Sequence, residues 1–122
     1  VVHKPLWNSQ VQVGKVADIR LTAVGGQLFA VRLEGAAGID WRADYSSLTF
    51  SPVPVPDLIA PAVRSYLTDF GLVFGAFDFA LREDGGWEML ECNPNGQWAF
   101  LDPDTVRGVT TALADLLEKG RT

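Results

Sequence analysis

Three oxygen-bearing side chains, Asp78, Glu91 and Asn93, carry the clearest chemistry in this sequence. Asp78 lies in the apolar run "LVFGAFDFAL", and Glu91 and Asn93 stand two apart in "WEMLECNPNGQW", just before Pro-Asn-Gly. Alternate residues of a strand share a face, so Glu91 and Asn93 project together. The intervening "REDG" reads as a hairpin turn. With Asp84-Gly85 as a two-residue loop, Arg82 faces Trp87, Phe79 faces Leu90 and Asp78 faces Glu91. Residues so paired have Cβ atoms roughly 4.5 to 5.5 Å apart, where like charges destabilise a sheet, so something must compensate. Two carboxylates and an amide, with no imidazole or thiolate, suit Mg2+ or Mn2+. Mg2+ typically takes one or two carboxylates and completes its shell with water and substrate phosphates. The competing account is that Asp78 is solvated and faces Glu91 across an exposed sheet. Phe74, Ala76, Ala80 and Met89, expected on the same face, argue that this face is not freely wet.

The elements that must position these residues alternate along the chain without repeats. "ADIRLTAV" and "QLFAVRLE", joined by Gly25-Gly26, predict a first tight hairpin, because glycine supplies the positive φ its turn requires. Its register sets Arg20 against Val31 and near Phe29. A guanidinium in so apolar a setting needs an anion, and Asp18, two residues back, is one candidate. The three prolines of "SPVPVPD", residues 51 to 57, predict an extended connector and exclude a central strand. Apolar residues at helical spacing from about Pro56 to Phe70 predict a helix ended by Gly71, with Pro61 blurring its start. Residues 72 to 93 form the second hairpin. Pro103 to Lys119 predicts a last helix, with Asp102 as N-cap and Gly120 at its end. The order strand-strand-helix-strand-strand-helix is α+β, an antiparallel sheet packed by helices.

Composition narrows the function classes. At 122 residues the chain fits one small domain, burying roughly two-thirds of its unfolded surface. A net charge of -5, with ten scattered Lys and Arg, argues against nucleic acid as a partner. No apolar run approaches the ~18 to 20 residues of a membrane span, so no membrane partner is expected. The single Cys92 excludes an internal disulfide and fits a cytoplasmic setting. With His3 as its single histidine, the chain cannot build Ser-His-Asp machinery, and His3 is expected to be a neutral strand residue.

"FGLVFGAFDFALREDGGWEMLECNPNGQW", with "HKPL", "KVADIRLTAVGGQLFAVRLE" and "DWRADY", resembles the ATP-grasp superfamily of carboxylate ligases. It is most similar to the branch that matures ribosomal peptides through ω-ester or ω-amide crosslinks, the graspetide or microviridin-type ligases, and the match runs along nearly the whole chain. The resemblance implies that residues 1–122 form one ATP-grasp C-terminal catalytic subdomain. It also implies ATP and Mg2+ as cofactors, with Asp78, Glu91 and Asn93 as metal ligands at the nucleotide. Arg20 would meet the γ-phosphate or acyl phosphate, and Arg42 the substrate carboxylate. Lys4 and Lys15 would contact ATP phosphates. Outside the resemblance, either lysine would be a solvated residue and Arg42 a surface loop residue. Trp98 and Phe100 are expected in core or rim packing, and Asn95 and Gln97 close to the metal face.

Departures from the family pattern are as informative. Between Lys4 and Lys15 the family places a glycine-rich phosphate lid, another strand and an adenine-gripping hinge, whereas only "PLWNSQVQVG" stands here. Val11 occupies a position where the family tends to have an acid. The chain is therefore expected to be a fragment, or to belong to a protein whose lid falls between residues 7 and 10 and is skipped in this sequence. The implied activity is ATP- and Mg-dependent activation of a peptide side-chain carboxylate as an acyl phosphate, then intramolecular crosslinking. The implied partner is a ribosomal precursor peptide with acidic and hydroxyl or amine side chains, and a homodimer is compatible with this. Two other assignments remain open: an amino-acid ligase of the glutathione synthase or ribosomal protein S6 modification type, and a non-catalytic peptide-binding module.

Overall fold

The computed structural model describes residues 14–34 and 49–120. Lys4, Arg42, His3, Val11, Trp41 and the position of the expected lid between residues 7 and 10 lie outside the described residues. The described elements run β1 (Lys15–Val24), β2 (Gln27–Glu34), β3 (Thr49–Val53), α1 (Ile59–Asp69), β4 (Phe74–Arg82), β5 (Trp87–Asn93) and α2 (Pro103–Gly120). The strands form one sheet in the order β3-β2-β1-β4-β5, and every neighbouring pair is antiparallel. The α+β class expected from the sequence is the one observed.

The first hairpin closes as its glycines predict. Gly25 and Gly26 have φ of 54° and 93°, and Val24 pairs with Gln27, which carries the register down to Arg20 opposite Val31. β3 is a strand where the sequence predicted a connector. Residues 51–53 join the sheet at its edge, with Pro52 opposite Val31, while residues 54–56 are irregular. An edge tolerates a proline because one side of the strand makes no ladder hydrogen bonds.

Helix α1 starts later than about Pro56. The Pro56 carbonyl accepts from the Ile59 and Ala60 N–H groups, and Pro61 falls in the first turn, where a missing N–H costs no helical hydrogen bond. At its other end Gly71 takes φ of 63°, Leu72 N–H donates to the Leu67 carbonyl at 2.8 Å, and Gly71 N–H donates to Thr68 at 3.2 Å. That reciprocal pair satisfies carbonyls the helix leaves open. At the start of α2 the Asp102 carboxylate accepts from the Thr105 N–H at 3.1 Å and from its hydroxyl at 3.0 Å, as an N-cap should. Among the described residues no helix is long and apolar enough to cross a membrane.

The central strand β1 is covered on both sides, so its residues split between two cores. Ile19, Leu21 and Ala23 join Phe77 and Phe79 of β4 beneath Val63 and Leu67 of α1. Val24 instead packs with Val109 and Ala112 of α2, alongside Phe29, Phe74 and Trp98. α2 thus covers the Val24 end of its face, and the polar residues Asp18 and Arg20 lie further along the same face. Phe77 is fully buried at the centre of the larger core. Phe77→Ala is expected to lower unfolding free energy by about 3–5 kcal/mol, measured by urea denaturation. Leu117→Ala, at a position 68% exposed, should change it by less than about 0.5 kcal/mol.

Candidate functional site

One cross-strand row carries the site. Arg20 pairs with Val31 on one side and Asp78 on the other, and Asp78 pairs with Glu91, so Arg20, Asp78 and Glu91 lie side by side across β1, β4 and β5. Asn93 stands opposite Ala76 in the adjacent row of the same face. The predicted pairing of Asp78 with Glu91 therefore holds, but by a different route.

The second hairpin does not close through Asp84-Gly85 alone. Arg82 N–H donates to the Gly86 carbonyl at 2.9 Å and Gly85 takes φ of 88°, which makes a three-residue loop with glycine in the left-handed third position. Leu81 then pairs with Trp87 and Phe79 with Met89, each one residue away from the predicted register. A bulge at Leu90 restores it, because Asp78 pairs with Glu91 while Phe79 pairs with Met89. In consequence Trp87 and Met89 turn to the α1 face, where the Trp87 ring lies 5.4 Å from that of Phe79. Met89 is therefore not beside the carboxylates as predicted. Glu88 takes that face instead, opposite Ala80, and accepts from Arg82 at 2.9 Å.

Arg20 is 6% exposed, and its anion is not Asp18. Its Nε donates to Asp78 Oδ1 at 2.8 Å, one guanidinium NH2 group donates to the Gln97 carbonyl at 2.7 Å, and the Phe100 ring centroid lies 5.6 Å from its Cζ. Asp18 is held by Lys15 Nζ at 3.1 Å. Magnitudes clarify what this does. Two carboxylates about 5 Å apart repel by about 3 kcal/mol at an effective dielectric near 20, and a guanidinium in hydrogen-bond range attracts by about 5 kcal/mol on the same scale. Arg20 therefore supplies the compensation that facing carboxylates require, and their facing alone does not call for a metal.

The donor set nonetheless fits a hard divalent ion. Asp78 and Glu91 are half-buried, and Asn93 is exposed. Among the described residues no group of three His, Cys, Asp or Glu clusters for a metal, so a bound ion would take two carboxylates and the amide as a neutral third donor. That count suits Mg2+ better than Ca2+, which takes six to eight oxygens. Asn93 Oδ1 accepts the Asn95 N–H at 2.9 Å, which fixes its orientation and leaves a second lone pair. Cys92, between Glu91 and Asn93 in sequence, belongs to the other face, where its Sγ lies beside Gly75. Burial pushes its thiol pKa up, with Asp78 and Glu91 adding to the rise against a lowering hydrogen bond from Tyr66. A neutral thiol is a poor ligand.

Residues 94–100 do more than the sequence predicts, which expects Asn95 and Gln97 near this face but gives them no contact with Arg20. This loop folds back over the sheet to bring the Gln97 carbonyl and the Phe100 ring to Arg20, and Phe100 also meets Phe50 edge-on at 6.2 Å. Trp98 packs in the α2 core, as its rim-or-core expectation had it. The signal for the close approach was present in Gly96, which is buried in a loop of otherwise exposed or half-buried residues.

No family pattern and no curated protein sequence matches this chain. Solved structures do. The macrocyclase MdnC of Microcystis aeruginosa MRC, bound with precursor peptide MdnA, superposes with a TM-score of 0.70 at 28% identity, covering 87% of this chain and 34% of that one. A Chryseobacterium gregarium RiPP-associated ATP-grasp ligase in complex with ADP, a leader and a core peptide gives 0.74 at 23% identity, covering 88% and 34%. Macrocyclase MdnB of Microcystis aeruginosa MRC gives 0.67 at 26% identity, covering 96% and 46%. The chain thus spans about a third to a half of the length of these proteins. The resemblance read from the motifs holds in three dimensions: the chain has the fold of part of these proteins, two described as macrocyclases and one as an ATP-grasp ligase.

Proposed function

We propose that this chain is the catalytic C-terminal subdomain of an ATP- and Mg2+-dependent ligase that crosslinks side chains within a ribosomally made precursor peptide. The observation that carries this reading is the single row of Arg20, Asp78 and Glu91 across three strands. It supports the reading by setting a buried cation beside two carboxylates, on a fold shared with a macrocyclase solved with a precursor peptide and an ATP-grasp ligase solved with ADP.

In this reading Asp78, Glu91 and Asn93 hold magnesium, which when bound neutralises charge on the phosphate oxygens. Arg20 presents its fork to the γ-phosphate from a fixed position, with Phe100 and the Gln97 carbonyl limiting its rotation. Lys15 lies at the start of the same strand, and its contact with Asp18 can be exchanged for phosphate because both side chains are partly solvated. Lys4 would meet phosphate and Arg42 the substrate carboxylate. A peptide Asp or Glu carboxylate attacks the γ-phosphorus, releasing ADP and forming an acyl phosphate. A hydroxyl or amine of the same peptide then attacks the acyl carbon and expels phosphate. Each crosslink therefore removes one water from the peptide, and cytoplasmic ATP and Mg2+ are available for it.

A second reading has its own support. Because Arg20 already neutralises Asp78, the row is electrostatically self-sufficient and could persist in a non-catalytic peptide-binding module. Catalysis separates the two. In the protein at its natural length, with its precursor peptide, ADP release should require Mg2+ and fall by about 100-fold or more in Glu91→Gln. The peptide should lose the mass of one water per crosslink. Peptide binding with no ADP formed would favour the module. A stability measurement needs no substrate: Asp78→Asn removes the charged acceptor of the Arg20 Nε–H and should cost about 2 kcal/mol in urea unfolding.

A further inference from the structure

Gly96 has an unusual setting for a loop residue. It is buried, and a Cβ built on it would lie 2.3 Å from the Ala76 Cβ, 3.4 Å from the Asn93 carbonyl oxygen and 3.5 Å from the Asn93 Cβ. No pair of non-bonded carbons sits at 2.3 Å, so any side chain here must displace the loop or the strand. Neither gives easily. Ala76 is fully buried in β4, flanked by β1 and β5. The turn is tied to Asn93, whose carbonyl accepts the Gly96 N–H at 3.2 Å and whose Oδ1 accepts the Asn95 N–H at 2.9 Å.

The next residue shows what the close approach achieves. Gln97 directs its carbonyl at the Arg20 guanidinium at 2.7 Å, and three residues later the Phe100 ring lies over the same group. Lifting the turn off Ala76 by the 1 Å or so that a methyl group demands would stretch that hydrogen bond beyond useful range. Arg20 would keep Asp78 and lose the contacts that hold its outer face.

We propose that Gly96 is a positioning residue: by letting the 93–97 turn lie against Ala76, it seats the Gln97 carbonyl and Phe100 on Arg20 and fixes the direction in which that guanidinium faces a γ-phosphate. The proposal rests on the nucleotide reading above. It assigns the Pro-Asn-Gly segment a task distinct from holding metal, since Gly96 acts only through Arg20.

Titration calorimetry of the natural-length protein with Mg-ADP and with a Mg-bound non-hydrolysable ATP analogue tests it, because Arg20 is assigned to the one phosphate ADP lacks. Gly96→Ala should weaken the ATP analogue about 10-fold more than ADP. Adding Ala76→Gly removes the opposing methyl and should restore analogue affinity to within about 3-fold of wild type, a rescue that general loop damage would not show. Phe100→Leu, which leaves the Gly96 contact intact, should show a smaller loss of the same selectivity and keeps the test available if Gly96→Ala does not fold. Equal losses for both nucleotides without rescue, or wild-type affinities in Gly96→Ala, would overturn the proposal, as would unchanged selectivity in Phe100→Leu. If the wild-type protein takes up neither nucleotide, the functional reading itself fails and this inference with it.

Discussion

The Arg20–Asp78 ion pair is the interaction on which the site depends. It joins the central strand of the sheet to its neighbour at a point where both side chains are largely out of water, 7% and 17% exposed. Two charges in such a place are tolerated only when paired and hydrogen-bonded. Here the pairing does a second thing, because Asp78 also faces Glu91. The guanidinium holds two like charges next to each other before any ligand arrives, so in the proposed reading the face that would take a metal is organised in advance. Pre-organisation of this kind removes reorganisation cost from the moment of reaction, which is where electrostatic catalysis gains most.

Everything around the pair serves its geometry. The Gly25-Gly26 turn sets Arg20 in register, the bulge at Leu90 turns Glu91 toward Asp78, and the loop after Asn93 returns to cover the guanidinium. α1 fills the opposite face with Val63 and Leu67, and α2 packs only the Val24 end of the Arg20 face. The sheet is therefore a packed platform with one charged row across β1, β4 and β5. On the other face of β1, Ile19 and Leu21 are buried apolar residues beneath α1.

How much of this could be read from the sequence follows from how local each determinant is. The first hairpin, the Asp102 cap and the Gly71 helix end depend on residues within a few positions of one another, and all three are where the sequence places them. The pairing of β1 with β4 has no turn to fix it, since α1 and β3 intervene. The sequence therefore offers only the neighbouring Asp18 as a candidate anion for Arg20, whereas the partner is Asp78, 58 residues away. The second hairpin contains two deviations that cancel, a loop one residue longer than expected and one bulged residue. Asp78 and Glu91 still meet, but Met89 and Glu88 exchange faces. β3 was read as a connector because proline weighs against strand pairing, and edge strands are where that weight is smallest.

The most direct measurement is a crystal structure of the natural-length protein with magnesium and a non-hydrolysable ATP analogue. The account predicts the metal between the Asp78 and Glu91 carboxylates and the Asn93 side-chain oxygen, with the Arg20 guanidinium turned toward the terminal phosphate. Nucleotide phosphates seated elsewhere in the fold, or a magnesium ion held without Asp78 and Glu91, would contradict it.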